Sequence, residues 1–141
     1  MRRAKQRLEV FGLAGLRQKR EDPAAVVVQQ DDRQIQVLLH RGQERYGIFC
    51  APCHGISGTG NGMIVQRGFP PPPSYLTEKL REAPIEHFYD VITHGYGVMF
   101  PYAARVPPPD RWAIAAYIRA LQASAMASLD DVPPELRQTV Q

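Results

Sequence analysis

The chain has 141 residues, 44% apolar and 22% charged, with thirteen prolines and eleven glycines. That length predicts a single domain with arms, the Pro and Gly content predicts much loop, and no apolar run approaches the ~20 residues that a membrane-spanning helix needs. The net charge of +3 is unevenly placed: residues 1–20 carry seven Lys/Arg against one Glu, a net of +6, and the rest of the chain is at −3. A basic arm suits nucleic acid, anionic lipid or an acidic partner, or is simply a solvated terminus. The main body has no basic stripe interleaved with aromatics, which argues against nucleic acid.

The arm, residues 1–30, begins "MRRAKQRLEVFGLAGLRQKR". Its apolar part is short, contains Glu9 and ends in "RQKR", so it makes a poor secretory signal. A segment at residues 8–16 lying along an interface, with basic flanks drawn to anionic lipid, is a different use of the same pattern.

A main domain is expected over residues 31–126. From Asp32 to Cys50 the residues Ile35, Leu38, Leu39, Gly42, Tyr46 and Phe49 follow the three/four spacing of one helical face, with Asp31 or Asp32 as cap. "HGISGTGNG" breaks any helix with four glycines. In "SYLTEKLREA", Ser74 is expected to cap a short helix. In "PIEHFYDVITHG", Pro84 starts a helix that Gly95 ends, with Ile85, Phe88, Tyr89 and Ile92 on one face. "YGVMFPYAARVPPP" reads as an extended loop. Asp110 is then expected to cap a last helix, "RWAIAAYIRALQ", whose inner side is Ile114, Tyr117, Ile118 and Leu121. Residues 127–141 read as a loose tail. The fold class is therefore all-α: three to four helices with long loops. Such loops in a small domain make sense if they wrap a ligand rather than solvent.

Both cysteines of the chain fall in "FCAPCHG", as Cys50 and Cys53 followed by His54. Cys-x-x-Cys-His is the attachment sequence of c-type haem. Thiols three apart reach the two vinyl groups on one porphyrin edge, and the next residue then lies beneath the ring to bind iron. Two other readings compete. A zinc site needs four ligands and has only His40, His87 and His94 to add to the thiols, at unsuitable spacing. A thioredoxin-like redox pair requires a strand–helix context that is missing. A single covalent haem c is the favoured cofactor.

The second axial ligand should be soft. Met99, in a loop flanked by glycines and a proline, is the best candidate, with His94 as runner-up. Met63 reads as packing over the haem edge, and His40 and His87 as exposed helix residues. Methionine opposite histidine raises the reduction potential and closes both axial positions, which favours electron transfer over ligand chemistry. The chain itself is then a carrier, not an enzyme. A haem-based sensor or enzyme with a labile ligand is the alternative from another class.

These residues resemble the mono-haem cytochrome c family. Gly42 and Tyr46 stand where that family has a small residue and an aromatic, and "AIAAYIRAL" looks like its C-terminal helix, with Tyr117 as packing partner. The resemblance implies that the first and last helices cross at the small residue. It also implies that the carbonyl of Pro72, in "PPS", accepts the imidazole N–H of His54. Arg67 is a candidate partner for a propionate or else an exposed loop arginine, Tyr75 a hydrogen-bond donor to a propionate or a cover for the haem edge, and Trp112 a packing residue under the propionates or in the core, with a surface for partner docking as the other reading.

A narrower resemblance covers residues 41–125. "RYGIFCAPCHG", "GNGMIVQRGF", "PPSY", "VITHGYGVM" and "VPPPDRWAIAAYIRALQ" look like the cytochrome c subunit of alternative complex III, a quinol-oxidising membrane complex. It implies electron entry from a multihaem partner subunit, exit to a terminal oxidase or soluble acceptor, and a peripheral place on the extracytoplasmic, periplasmic face of the inner membrane. A freely soluble cytochrome shuttle is the other form the same fold can take. Covalent haem attachment itself takes place outside the cytoplasm, so the chain is expected to be exported.

Overall fold

The computed structural model describes residues 23–139, with side chains from Asp31. The basic stretch at residues 1–20 therefore lies outside the described residues. Five α-helices follow in order: α1 (Pro23–Phe49), α2 (Ala51–His54), α3 (Glu78–Glu82), α4 (Ile85–His94) and α5 (Pro108–Met126). Among the described residues there is no strand, only one isolated bridge between Tyr96 and Met99. The all-α expectation holds. No described helix is long and apolar enough to cross a membrane.

The core lies where α1 and α5 cross and α4 closes on α5. Tyr46, Phe88, Ile92, Val106, Ile114, Ala115 and Ile118 are buried there. Each large side chain of this set contributes about 1.5–3 kcal/mol by leaving water. The crossing depends on Gly42. A Cβ at that position would run into the carbonyl oxygen of Ala113 and come within 2.8 Å of Tyr117 Cβ. Only a residue without a side chain lets the two backbones approach so closely, as the resemblance implied.

A cluster of charges pins the same crossing. Asp110 accepts hydrogen bonds from Arg41 Nε at 2.8 Å and Nη2 at 3.0 Å. Arg45 Nε lies 3.3 Å from the same carboxylate, though without hydrogen-bond geometry. The Arg41 guanidinium holds the Asp110 carboxyl below the ordinary carboxylate value, against the opposing effect of burial.

Several boundaries differ from expectation. α1 begins at Pro23, eight residues before Asp31, and runs without a break past residue 30. Proline is favoured in the first helical turn, where its missing N–H costs nothing, and Asp31 and Asp32 are exposed residues within the helix. The stripe's first members, Ile35 and Leu38, are exposed, because α1 makes its core contacts from Gly42 onward. Ser74 does not cap α3: its hydroxyl accepts from Leu76 N, and Thr77 holds the cap position. Asp110 does not cap α5 either. Pro107 does, and Asp110 sits inside the first turn facing the arginines of α1. The expected loose tail contains two short 3-10 turns, Leu129–Asp131 and Pro134–Thr139, the first closed by a Ser128–Asp131 capping box.

Candidate haem site

The site is built at the end of α1. Cys50 N bonds back to Tyr46 O at 2.9 Å, so Cys50 stays in helical register. Its own carbonyl then accepts from Cys53 N at 3.1 Å and His54 N at 2.8 Å. This tight turn sets the two thiols three residues apart on a helical path, where i and i+3 share a face. The thiols are not joined as a disulfide. Cys50 is buried, and burial, reinforced by Cys53, pushes its thiol up to about 12. Tyr46 braces the turn from within, donating its hydroxyl hydrogen bond to Gly55 O at 2.7 Å in the core.

His54 carries the most informative geometry. Its ring is stacked on Tyr75, with centroids 4.7 Å apart and planes 10° from parallel. Burial pushes its pKa down to about 4, so the imidazole is neutral at physiological pH, the form that binds metal. Nδ1 is buried without a hydrogen-bond partner. A buried polar atom in that state is costly. The expected bond from His54 to the Pro72 carbonyl is therefore not made by Nδ1 in this structure. Pro72 does pack beside the motif: its carbonyl oxygen occupies the space that a Cβ on Gly60 would fill, and Gly60 N bonds to His54 O at 2.8 Å.

Met99 sits in a tight turn between α4 and α5. Tyr96 N donates to Met99 O at 3.1 Å and Met99 N donates to Tyr96 O at 2.9 Å. The turn's far leg is tied to α4 by Tyr102 N to Ile92 O at 2.8 Å. Tyr102 also brings this loop to the cysteines. Its ring packs edge-on against Phe49, the residue before Cys50, at 6.3 Å. Burial, and then Cys53 and Cys50, raise its pKa.

The remaining sequence candidates are placed differently. Arg67 is exposed at the end of the 3-10 turn Val65–Arg67. Tyr75 is buried, stacked on His54 and edge-on to Phe88 at 6.0 Å, so it belongs to the core as much as to the site. Trp112 is not in the core: it is 41% exposed and stacked on Tyr89 of α4 at 4.4 Å. The buried side of α5 runs through Arg111, Ile114, Ala115, Ile118 and Gln122, and Trp112 falls off that line. His94 is exposed, its Nδ1 3.1 Å from Asp90 O. Sequence reasoning missed Arg111, a buried charged side chain at the head of that stripe, next to Asp110. Its spacing from Ile114, Ala115 and Ile118 was the available signal.

These residues fit a haem. Two free thiols share one helical turn, a neutral imidazole follows them, and its Nδ1 lacks a partner. The loops after His54 and after His94 expose Ile56, Phe69, Val98 and Phe100 by 65–84%, apolar side chains available to cover a haem. Among the described residues no three His, Cys, Asp or Glu side chains converge on a metal site, so nothing there builds the zinc alternative.

No curated protein matches the chain. A family model described as "Cytochrome C oxidase, cbb3-type, subunit III" matches residues 37–118, which is more than half of the chain and includes the thiol pair, His54, the Met99 turn and the crossing of α1 with α5. The chain belongs to this family of c-type cytochrome domains, its cofactor is a covalently bound haem c, and its function is haem-based electron transfer.

Proposed function

We propose that the protein is an electron-carrying subunit of a quinol-oxidising complex of the alternative complex III type. In this reading Cys50 and Cys53 would hold the haem by thioethers, and His54 and Met99 would be the iron ligands. When bound, the haem supplies a one-electron couple. The chain's part is to fix, cover and tune it. The covalent links keep His54 in register, and Tyr75 supports the imidazole from one side. Met99 would supply the second ligand, so that no exogenous ligand competes for the iron. Ile56, Phe69, Val98 and Phe100 are placed to exclude water around the ring edge.

What supports this reading is the resemblance of the segments from "RYGIFCAPCHG" to "VPPPDRWAIAAYIRALQ", taken in their order and spacing, to that subunit. Electrons then enter from a multihaem partner subunit and leave to a terminal oxidase or soluble acceptor, at the periplasmic face of the inner membrane, to which the chain is held peripherally. Arg67 and Trp112 stay in the proposal as residues at the haem's periphery, and Pro72 as the residue whose carbonyl would accept from His54 Nδ1 in the holo-protein.

A second reading is favoured by the family match: the chain serves as a haem subunit of a cbb3-type oxidase. Native purification separates the two. Solubilised from the source membrane, the protein is expected to travel with quinol-oxidising activity and multihaem subunits. Co-migration with oxygen-reducing activity alone supports the oxidase. Elution by itself, without detergent, makes it a soluble shuttle.

A further inference from the structure

Arg111 is a buried cation, 8% exposed, and among the described residues no carboxylate lies within ion-pair distance of it. Burying a guanidinium without a counter-charge is expensive unless neutral dipoles satisfy it. Here they do, and they all belong to the two legs of one loop. Nε donates to Val106 O at 2.8 Å and Nη2 to Ala103 O at 3.2 Å, both on the leg that follows Met99. Nη1 donates to Thr93 Oγ1 at 3.0 Å and reaches the Tyr89 hydroxyl at 3.5 Å, both on α4, which leads into the loop. The guanidinium also lies 5.5 Å from the Tyr89 ring centroid, in cation–π range. One side chain of α5 therefore clasps the helix before Met99 to the segment after it.

The turn between them is held by few other bonds. Tyr96 and Met99 pair with each other, and Gly95 N and Tyr102 N bond to α4. Val98 and Phe100, on either side of Met99, are exposed and add little packing. Segments with few buried apolar contacts open locally at a small fraction of the global unfolding free energy. A charged donor satisfied by two carbonyls and a hydroxyl is worth more than neutral bonds of the same number. Lysine cannot replace it, because an ammonium is a point charge and not a planar fork.

We propose that Arg111 is the positioning residue for the sixth ligand: it latches the loop that carries Met99, so that the thioether stays on the iron and release of the ligand requires the latch to open. This rests on Met99 as axial ligand. The latch acts through the loop, and Arg111 itself touches neither haem nor iron in this proposal.

The test uses the holo-protein and carbon monoxide as the probe of an open sixth position. Met99→Ala establishes the ligand: the ferric thioether charge-transfer absorption should vanish and carbon monoxide should bind the ferrous form freely. Arg111→Gln should keep the attached haem and its Soret spectrum, yet bind carbon monoxide at least about tenfold faster than wild type, in proportion to the loop's greater open population. Adding Arg111→Gln to Met99→Ala should bring no further acceleration. Hydrogen exchange should quicken at the Tyr102 amide and stay unchanged at Gly60. Where Arg111→Gln yields no holo-protein, Arg111→Lys is read in the same way. If Met99→Ala opens the iron but neither arginine variant accelerates binding, the latch is wrong and the ligand assignment stands. If Met99→Ala changes neither spectrum nor binding, the ligand assignment fails, and the latch fails with it.

Discussion

His54 and Asp110 show how single residues here are tuned by what surrounds them. The His54 imidazole is neutral because it is buried, the form that binds metal, and its Nδ1 is left free of any hydrogen-bond partner. Asp110 is tuned the opposite way. Its carboxylate is kept ionised first by the hydrogen bonds from Arg41, and further by the charges of Arg41 and Arg45. A carboxyl whose folded value is depressed lends stability that is fully present above its unfolded value, 3.8 for aspartate, and is lost as pH falls through the lower folded value. Asp110→Asn should therefore lower the urea midpoint near neutral pH, and the gap to wild type should close once the pH drops well below 3.8. A gap that persists at acid pH would mean that the side chain matters by shape and not by charge. Nothing in "PPPDRWAI" alone marks Asp110 as an ion-pair residue. Its position before a helix suggests a cap, and only the arrival of Arg41 from 69 residues away decides otherwise.

At the scale of elements, the helical stripes were legible because burial follows the 3.6 period: Phe88 and Ile92 on α4, and Ile114 and Ile118 on α5, are where the spacing put them. The start of α1 was not legible. Two aspartates imitate a cap in mid-helix, and a Pro at the true first turn is the weaker signal. Of the readings open for Trp112, packing in the core does not hold, because an aromatic next to a buried stripe can turn either way and Tyr89 supplied a partner outside the core. Glycine in α1 offers a direct test of the crossing. Replacing a helical glycine by alanine gains about 1 kcal/mol of propensity. At Gly47, where nothing lies within 4 Å of the added Cβ, that gain should appear as a higher denaturation midpoint. At Gly42 the methyl meets the Ala113 carbonyl, and overpacking of this kind costs about 1–3 kcal/mol. Gly42→Ala should be neutral at best and more often destabilising, with the α1–α5 pair pushed apart. Equal stabilisation at both positions would contradict the close crossing.

Across the whole molecule, a small helical frame carries two long loops whose apolar side chains are left uncovered. The frame explains itself: α1, α4 and α5 bury Tyr46, Phe88, Ile114 and Ile118 against one another. The loops do not, and the motif at their junction says what completes them. The attachment sequence was the most legible feature because its chemistry is local, five residues fixing both thiols and the imidazole. The placement of the Met99 loop was less legible, because it depends on Arg111 and Tyr102, whose contacts tie it to other parts of the chain. The central claim is that one haem is bonded covalently to Cys50 and Cys53. It is tested most directly by the intact mass of the chain purified from its native source and denatured in acid. The account predicts the polypeptide plus one haem, with the added mass mapping to the peptide that contains Cys50, Cys53 and His54. A polypeptide mass with no tetrapyrrole attached would contradict it.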